Sequence, residues 1–213
     1  MDSEFFTWVP LPQLPKVPQH FLDRMKEIAV PMDPADAADE SLVKADVFSF
    51  EYRNRDIIFN GVKQKTRVQE RIMVGPDWVE WVRNNVISNF YGTSVRVSGG
   101  PEGATVHGAH TDGRACRLYY LVATGGDNVV TSYYQAPNSP ALYAINHPKV
   151  VGYDNMDELT VISSTAFPVG QWILHNGWVL HGVQGITGRR INIDVSINEE
   201  EAQRLIKEAR EFK

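Results

Sequence analysis

Near the C-terminus, eight residues alternate without a break. Arg190, Asn192, Asp194 and Ser196 fall on one parity; Ile191, Ile193, Val195 and Ile197 fall on the other. Successive side chains of a β-strand point to opposite faces, so this segment is a strand with one β-branched face and one polar face. The apolar face must pack outward against helices or a second sheet. The polar face then has one sensible destination, a barrel interior that holds a polar ligand. A slip of one residue would reverse every face, and Arg189 stands beside Arg190. Shared parity with the polar residues favours Arg190 as the inward arginine.

The stretch upstream supports a barrel. Residues 159–188 contain no Asp, Glu, Lys or Arg, yet they include Pro168, Asn176 and five glycines. A membrane-spanning helix is more uniformly apolar; several buried strands joined by tight turns fit better. Turn signals recur at Gly99-Gly100-Pro101, Gly125-Gly126-Asp127-Asn128, Pro137-Asn138-Ser139-Pro140, Asn176-Gly177 and Thr187-Gly188. Helical patterns lie only outside this region. One starts near Pro18, with Phe21, Leu22, Met25, Ile28 and Ala29 as its apolar face. A second fits residues 77–90, closed by Gly92. A third follows Asn198, which caps it with Glu201 as a capping-box partner. Asn60-Gly61 marks a hairpin. The expectation is one domain: a helical and hairpin extension over 1–93, a β-sandwich or barrel over 94–197, and a closing helix over 198–213.

Charge and cysteine usage exclude several functions. The net charge of −5 argues against bulk electrostatic binding to nucleic acid. The single Cys116 rules out an internal disulfide and any Cys-rich zinc site. The acidic N-terminus has neither a basic n-region nor an apolar h-region, so no signal peptide and a cytoplasmic location are expected.

The histidines carry the chemistry. His110-Thr111-Asp112 puts an imidazole and a carboxylate two residues apart, which a strand would aim at one point. A third ligand must come from another strand, and His181 is the best candidate. Two histidines and one carboxylate with open positions make the facial triad of non-haem Fe(II) sites. Arg190 follows His181 by nine residues, a hairpin's length. An inward arginine needs an anion, and a carboxylate is its natural bidentate partner. His107 reads as a turn or core histidine, and His175 and Asn176 read as turn residues. Tyr133, Tyr134, Trp172 and Trp178 read as core or pocket wall. Lys63, Lys65 and Arg67 read as an edge strand blunted against aggregation rather than as a clamp for an anionic substrate.

In these residues the chain resembles the Fe(II)/2-oxoglutarate-dependent oxygenases, in particular the branch that includes prolyl hydroxylases and many bacterial and phage proteins. The resemblance spans residues 105–197. It rests on His110-Thr111-Asp112, on Arg114 followed by Leu118-Tyr119-Tyr120-Leu121, on Gly125-Gly126, on His181-Gly182-Val183, and on Arg190 with Asn192. It implies a mainly β fold, a double-stranded β-helix (jelly roll) with N-terminal and C-terminal supporting helices. It implies that His110, Asp112 and His181 bind Fe(II), and that Arg190 pairs with the distal carboxylate of 2-oxoglutarate. Tyr120 would hydrogen-bond the same carboxylate. Asn192 stands where members often carry serine, and its amide can also donate. The implied activity is a dioxygenase that consumes O2 and 2-oxoglutarate, hydroxylates a C–H bond of an unidentified small molecule or protein side chain, and releases succinate and CO2. Retention of Asp112 suggests hydroxylation rather than halogenation. The rival readings are a cupin-like metalloenzyme that does not use 2-oxoglutarate and a catalytically silent jelly-roll binding protein.

Overall fold

The computed structural model describes residues 7–28, 56–65, 70–72, 75–98, 106–112, 116–137 and 152–212. Its elements in chain order are β1 (Trp8–Pro10), α1 (Gln19–Ile28), the hairpin β2 (Asp56–Phe59) and β3 (Val62–Lys65), β4 (Glu70–Ile72), α2 (Pro76–Asn85), β5 (Gly92–Ser98), β6 (Val106–His110), β7 (Cys116–Thr124), β8 (Val130–Gln135), β9 (Thr160–Thr165), β10 (Trp172–Asn176), β11 (Leu180–Gln184), β12 (Arg190–Ile197) and α3 (Glu199–Glu211). No described helix is long and apolar enough to cross a membrane.

Strands β5 to β12 form two facing antiparallel sheets. The larger runs β1-β10-β7-β12-β5-β4 and the smaller runs β6-β11-β8-β9. The chain crosses from one sheet to the other at every step from β5 to β12 except between β8 and β9. That path is the jelly roll, the fold the sequence led us to expect.

The alternation in β12 places its two faces as anticipated. Ile191, Ile193, Val195 and Ile197 are buried outward in a cluster with Phe21 and Met25 of α1, Trp78 and Val82 of α2, and Ala202 and Leu205 of α3. The indole N–H of Trp78 donates to the Thr93 hydroxyl at 3.0 Å, and Phe21 meets its ring edge-on at 5.2 Å. Trp78 is fully buried at this junction of helix and sheet. Trp78→Ala is therefore expected to destabilise the protein by about 3–5 kcal/mol, read from denaturant unfolding. A loss under about 1 kcal/mol would show that α2 is not anchored through this ring.

Several local expectations need adjusting. Helix α2 ends at Asn85, not near 90, because Val86 and Ile87 turn into the core and both donate their N–H to the Val82 carbonyl. Gly92 opens β5 instead of closing the helix. Asn198 caps α3 by accepting from the Glu201 N–H at 2.8 Å, while the Glu201 carboxylate pairs with Arg204 rather than reaching back to the cap. At the hairpin tip, Asn60 and Gly61 both take positive φ, 54° and 70°, as a tight two-residue turn demands. Both of their N–H groups donate to the Asp157 carboxylate. Ala29, Arg67, Arg114, the turns at 99–101 and 138–140, and the side chains of Ile28 and Lys65 lie outside what the structure describes.

Candidate metal centre

His110 closes β6, and His181 lies directly opposite it on β11. The register shifts between His181 and Val183, with the next pair being Val183 and His107. Gly182 permits this bulge, since a Cβ there would stand 2.8 Å from the His107 carbonyl oxygen. Asp112 lies two residues beyond the end of its strand. Its N–H donates to the Gly177 carbonyl at 2.7 Å, which ties it to the β10–β11 turn and brings it back beside His110. The ligating atoms of His110, Asp112 and His181 all lie within 4.8 Å of one another.

The hydrogen bonds fit these three residues to a cation. His110 Nδ1 lies 2.9 Å from the Gly108 carbonyl oxygen, and His181 Nδ1 lies 2.8 Å from that of Val179. A carbonyl only accepts, so each Nδ1 carries the proton and each Nε2 keeps a lone pair. Burial holds His110 well below the ordinary histidine range and lowers His181 as well, so both rings are neutral. Burial alone would raise the Asp112 carboxyl. The guanidinium groups of Arg117 and Arg96 outweigh it and hold the group well below the usual carboxylate range. Arg117 Nε stands 2.9 Å from Asp112 Oδ2 without hydrogen-bond alignment, leaving that buried oxygen without a hydrogen bond. Two neutral imidazoles and an ionised carboxylate with a spare oxygen are a donor set for a divalent metal such as Fe(II).

Buried charge around the centre leaves a remainder. Among the described residues the buried charged side chains are Arg96, Arg117, Arg190, Asp112 and Asp194. Asp194 takes Arg96 at 2.9 Å and Arg117 at 2.6 Å, and Asp112 takes Arg117. Two arginines and two aspartates thus balance, and Arg190 is left without a carboxylate partner among the described residues. Burial pushes Arg190 down to about 10, opposed only by Tyr119. It lines one cavity together with His110, His181, Ser98, Thr131 and Asn192. Among the described residues the Thr131 hydroxyl in that wall has no hydrogen-bond partner.

Local backbone sets Arg190. Gly125 has φ 79°, and a Cβ on it would lie 2.8 Å from Arg190 Cβ. Its carbonyl accepts from the N–H groups of Thr187 and Gly188, at 2.8 and 2.7 Å, which pins the β11–β12 turn. Arg190 is buried against this turn, whereas Arg189 is exposed.

The structure corrects the placement of Tyr120. Tyr120 pairs with Ile193 and Trp172 and points into the helix-side core, its ring 5.1 Å from that of Trp172. Tyr119 faces the cavity instead and takes a hydrogen bond from Arg96 at 3.3 Å. Asp194 does face inward, but its carboxylate is spent on two arginines. His107 joins the cavity wall, its ring 4.5 Å from that of His110. His175, read from the sequence as a turn residue, is fully buried with its Nε2 3.3 Å from His181 Nε2. Alternation within β10 carries the signal for this: Trp172 and Leu174 face the helices, so Ile173 and His175 face the interior.

No family model matches the chain, and no curated protein matches it in sequence. Among solved structures the chain is similar to AviO1 from Streptomyces viridochromogenes Tue57, with 13% identity, TM-score 0.45, and coverage of 91% of this chain and 90% of that one. It is also similar to the epimerase SnoN in complex with Fe3+, alpha ketoglutarate and nogalamycin RO, at 10% identity and TM-score 0.47, covering 90% of this chain and 79% of that one. A third is an oxidoreductase of the 2OG-Fe(II) oxygenase family from Burkholderia pseudomallei, at 10% identity and TM-score 0.39, covering 83% of this chain and 88% of that one.

Proposed function

We propose that the protein is an Fe(II)- and 2-oxoglutarate-dependent dioxygenase that hydroxylates a C–H bond of an unidentified substrate and releases succinate and CO2. The observation that carries this reading is a cavity joining two metal-competent histidines to a buried arginine that lacks a carboxylate partner among the described residues. His110 and His181 present Nε2 to the metal, and Asp112 adds a carboxylate oxygen. Arg96 and Arg117, themselves held by Asp194, fix the position of Asp112. Arg190 meets the distal carboxylate of 2-oxoglutarate, with the Thr131 hydroxyl and the Asn192 amide as further donors. A guanidinium buried without an anion costs several kcal/mol, roughly, so the site favours an anionic occupant. Bound there with O2, Fe(II) and 2-oxoglutarate supply the oxidising chemistry.

His175 gives some support to a second reading, a cupin-like metalloenzyme with an extra imidazole and no 2-oxo acid. Arg190, without a carboxylate partner among the described residues, and the unbonded Thr131 hydroxyl weigh against it. Calorimetry separates the readings. With Mn(II) in place of iron, the protein is expected to bind one metal ion and then 2-oxoglutarate, the second event requiring the first. Metal binding without 2-oxoglutarate binding would favour the cupin-like reading. Absence of metal binding would favour the silent barrel.

A further inference from the structure

We infer that Arg96 is a second carboxylate-binding arginine: its Nη2 receives the carboxylate by which a 2-oxo acid chelates the metal, while Arg190 receives the carboxylate at the other end. This deepens the reading above and rests on it. Arg96 is 2% exposed and forms part of the cavity wall that His110, His181 and Arg190 also line. The nitrogens of its guanidinium are differently occupied. Nε faces Asp194 Oδ2 at 2.9 Å without hydrogen-bond alignment. Nη1 donates to the Tyr119 hydroxyl at 3.3 Å and lies 3.8 Å from Asp112 Oδ1. Nη2 has no hydrogen-bond acceptor among the described residues. A buried N–H donor without an acceptor costs stability, and a ligand in the cavity is the group that can supply one.

Register sets the two arginines on one ligand. Arg190 lies opposite Ser98, and Asn192 lies opposite Arg96. Arg96 and Arg190 are therefore diagonal neighbours on the inner face of the adjacent strands β5 and β12. Such neighbours stand roughly 7–8 Å apart, within reach of long side chains. Arg96 is the one beside Asp112, and so beside the metal ligands. A short dicarboxylate thus finds one arginine for each end, and the Arg96 end is the metal end. Charge points the same way. Arg96, Arg117, Asp112 and Asp194 already balance one another, so an arriving divalent metal brings positive charge that they do not offset. A carboxylate on the metal beside Arg96 offsets part of it. Asp194 and Tyr119 hold the guanidinium, so Nη2 is presented in one fixed direction. Any 2-oxo acid then gains from Arg96, and only a dicarboxylic one gains from Arg190 as well.

The test uses the full-length protein saturated with Mn(II) and two probes, 2-oxoglutarate and 2-oxopentanoate. The second keeps the metal-binding carboxylate and ketone and carries a methyl group where 2-oxoglutarate has its distal carboxylate. Arg96→Lys keeps a cation beside Asp194 and removes the free guanidinium nitrogen. Its affinity for both probes, measured by calorimetry, is expected to fall about tenfold. Arg190→Ala is expected to weaken 2-oxoglutarate alone. Unchanged affinity for both probes in Arg96→Lys would overturn the inference, as would a loss for 2-oxoglutarate without one for 2-oxopentanoate. A crystal structure of the unsubstituted protein with Mn(II) and 2-oxoglutarate gives the answer even where the variant fails to fold. Arg96 Nη2 is expected within about 3.2 Å of an oxygen of the metal-bound carboxylate, and a separation beyond about 4 Å would overturn the inference. If the unsubstituted protein binds neither probe, the dioxygenase reading fails and this inference with it. If it binds both and Arg96→Lys alters neither, this inference alone fails.

Discussion

Asp112→Ala is expected to abolish stoichiometric metal binding, weakening Mn(II) or Fe(II) affinity by more than about 100-fold, beyond the loss usual for an outer-shell change. The carboxylate is the only anionic member of the cluster, and its Oδ2 is the buried oxygen left without a hydrogen bond. Removing it also leaves Arg96 and Arg117 with Asp194 alone. Stripping a partner from a buried charge network costs about 3–5 kcal/mol, so the alanine variant should melt at lower temperature as well. Asp112→Asn keeps the shape while removing the charge, so it should share both losses without leaving the cavity that alanine leaves. His181→Ala should lose metal without that electrostatic penalty, because its ring is neutral. Full metal occupancy in Asp112→Ala, measured by equilibrium dialysis, would refute the ligand assignment.

Arg190→Ala is expected to raise the 2-oxoglutarate concentration needed for half-saturation by about 100-fold. Losing one partner of a buried charge pair costs about 2–5 kcal/mol, and each 1.4 kcal/mol is a factor of ten. Metal affinity should stay close to that of the unsubstituted protein. Arg189→Ala should change neither, because that side chain is exposed. The pH dependence has a definite sign. Burial brings Arg190 down to about 10, so the cation persists through neutral pH and anion binding weakens as pH rises through that value. A bound carboxylate stabilises the charged form and moves the loss to higher pH. Titrating 2-oxoglutarate against both variants in the presence of Mn(II) checks the pair. Loss of binding in Arg189→Ala alone would contradict the placement of Arg190.

Much of this was legible because strand parity is strict. The alternation of β12 separates an outer row, Ile191 to Ile197, from an inner row that starts at Arg190, and the barrel uses both rows as expected. The same rule applied to β7 would have placed Tyr120 correctly. Leu118, Tyr120 and Val122 share the apolar parity, whereas Arg117 and Tyr119 share the other. The resemblance to known oxygenases pointed to Tyr120, and the local alternation contradicts it. His175 was hidden for a different reason. An isolated histidine before an Asn-Gly turn reads as a turn residue unless the facing strand is known, and here the partners are Arg117 of β7 and, across the barrel, His181. The Arg96, Arg117 and Asp194 network depends on three strands, β5, β7 and β12, meeting in register. No local sequence pattern encodes that meeting. The early end of α2 depends on Val86 and Ile87 finding core space, which propensity alone does not report.

The most direct measurement is the visible spectrum of the full-length protein under strict anaerobiosis, with one equivalent of Fe(II) and increasing 2-oxoglutarate. A 2-oxo acid chelated to Fe(II) through its carboxylate and ketone gives a metal-to-ligand charge-transfer band that neither component shows alone. The account predicts that this band appears, saturates at one chelate per chain, and disappears when Zn(II) replaces Fe(II). A spectrum that stays flat through millimolar 2-oxoglutarate, with Fe(II) demonstrably bound, would contradict the account.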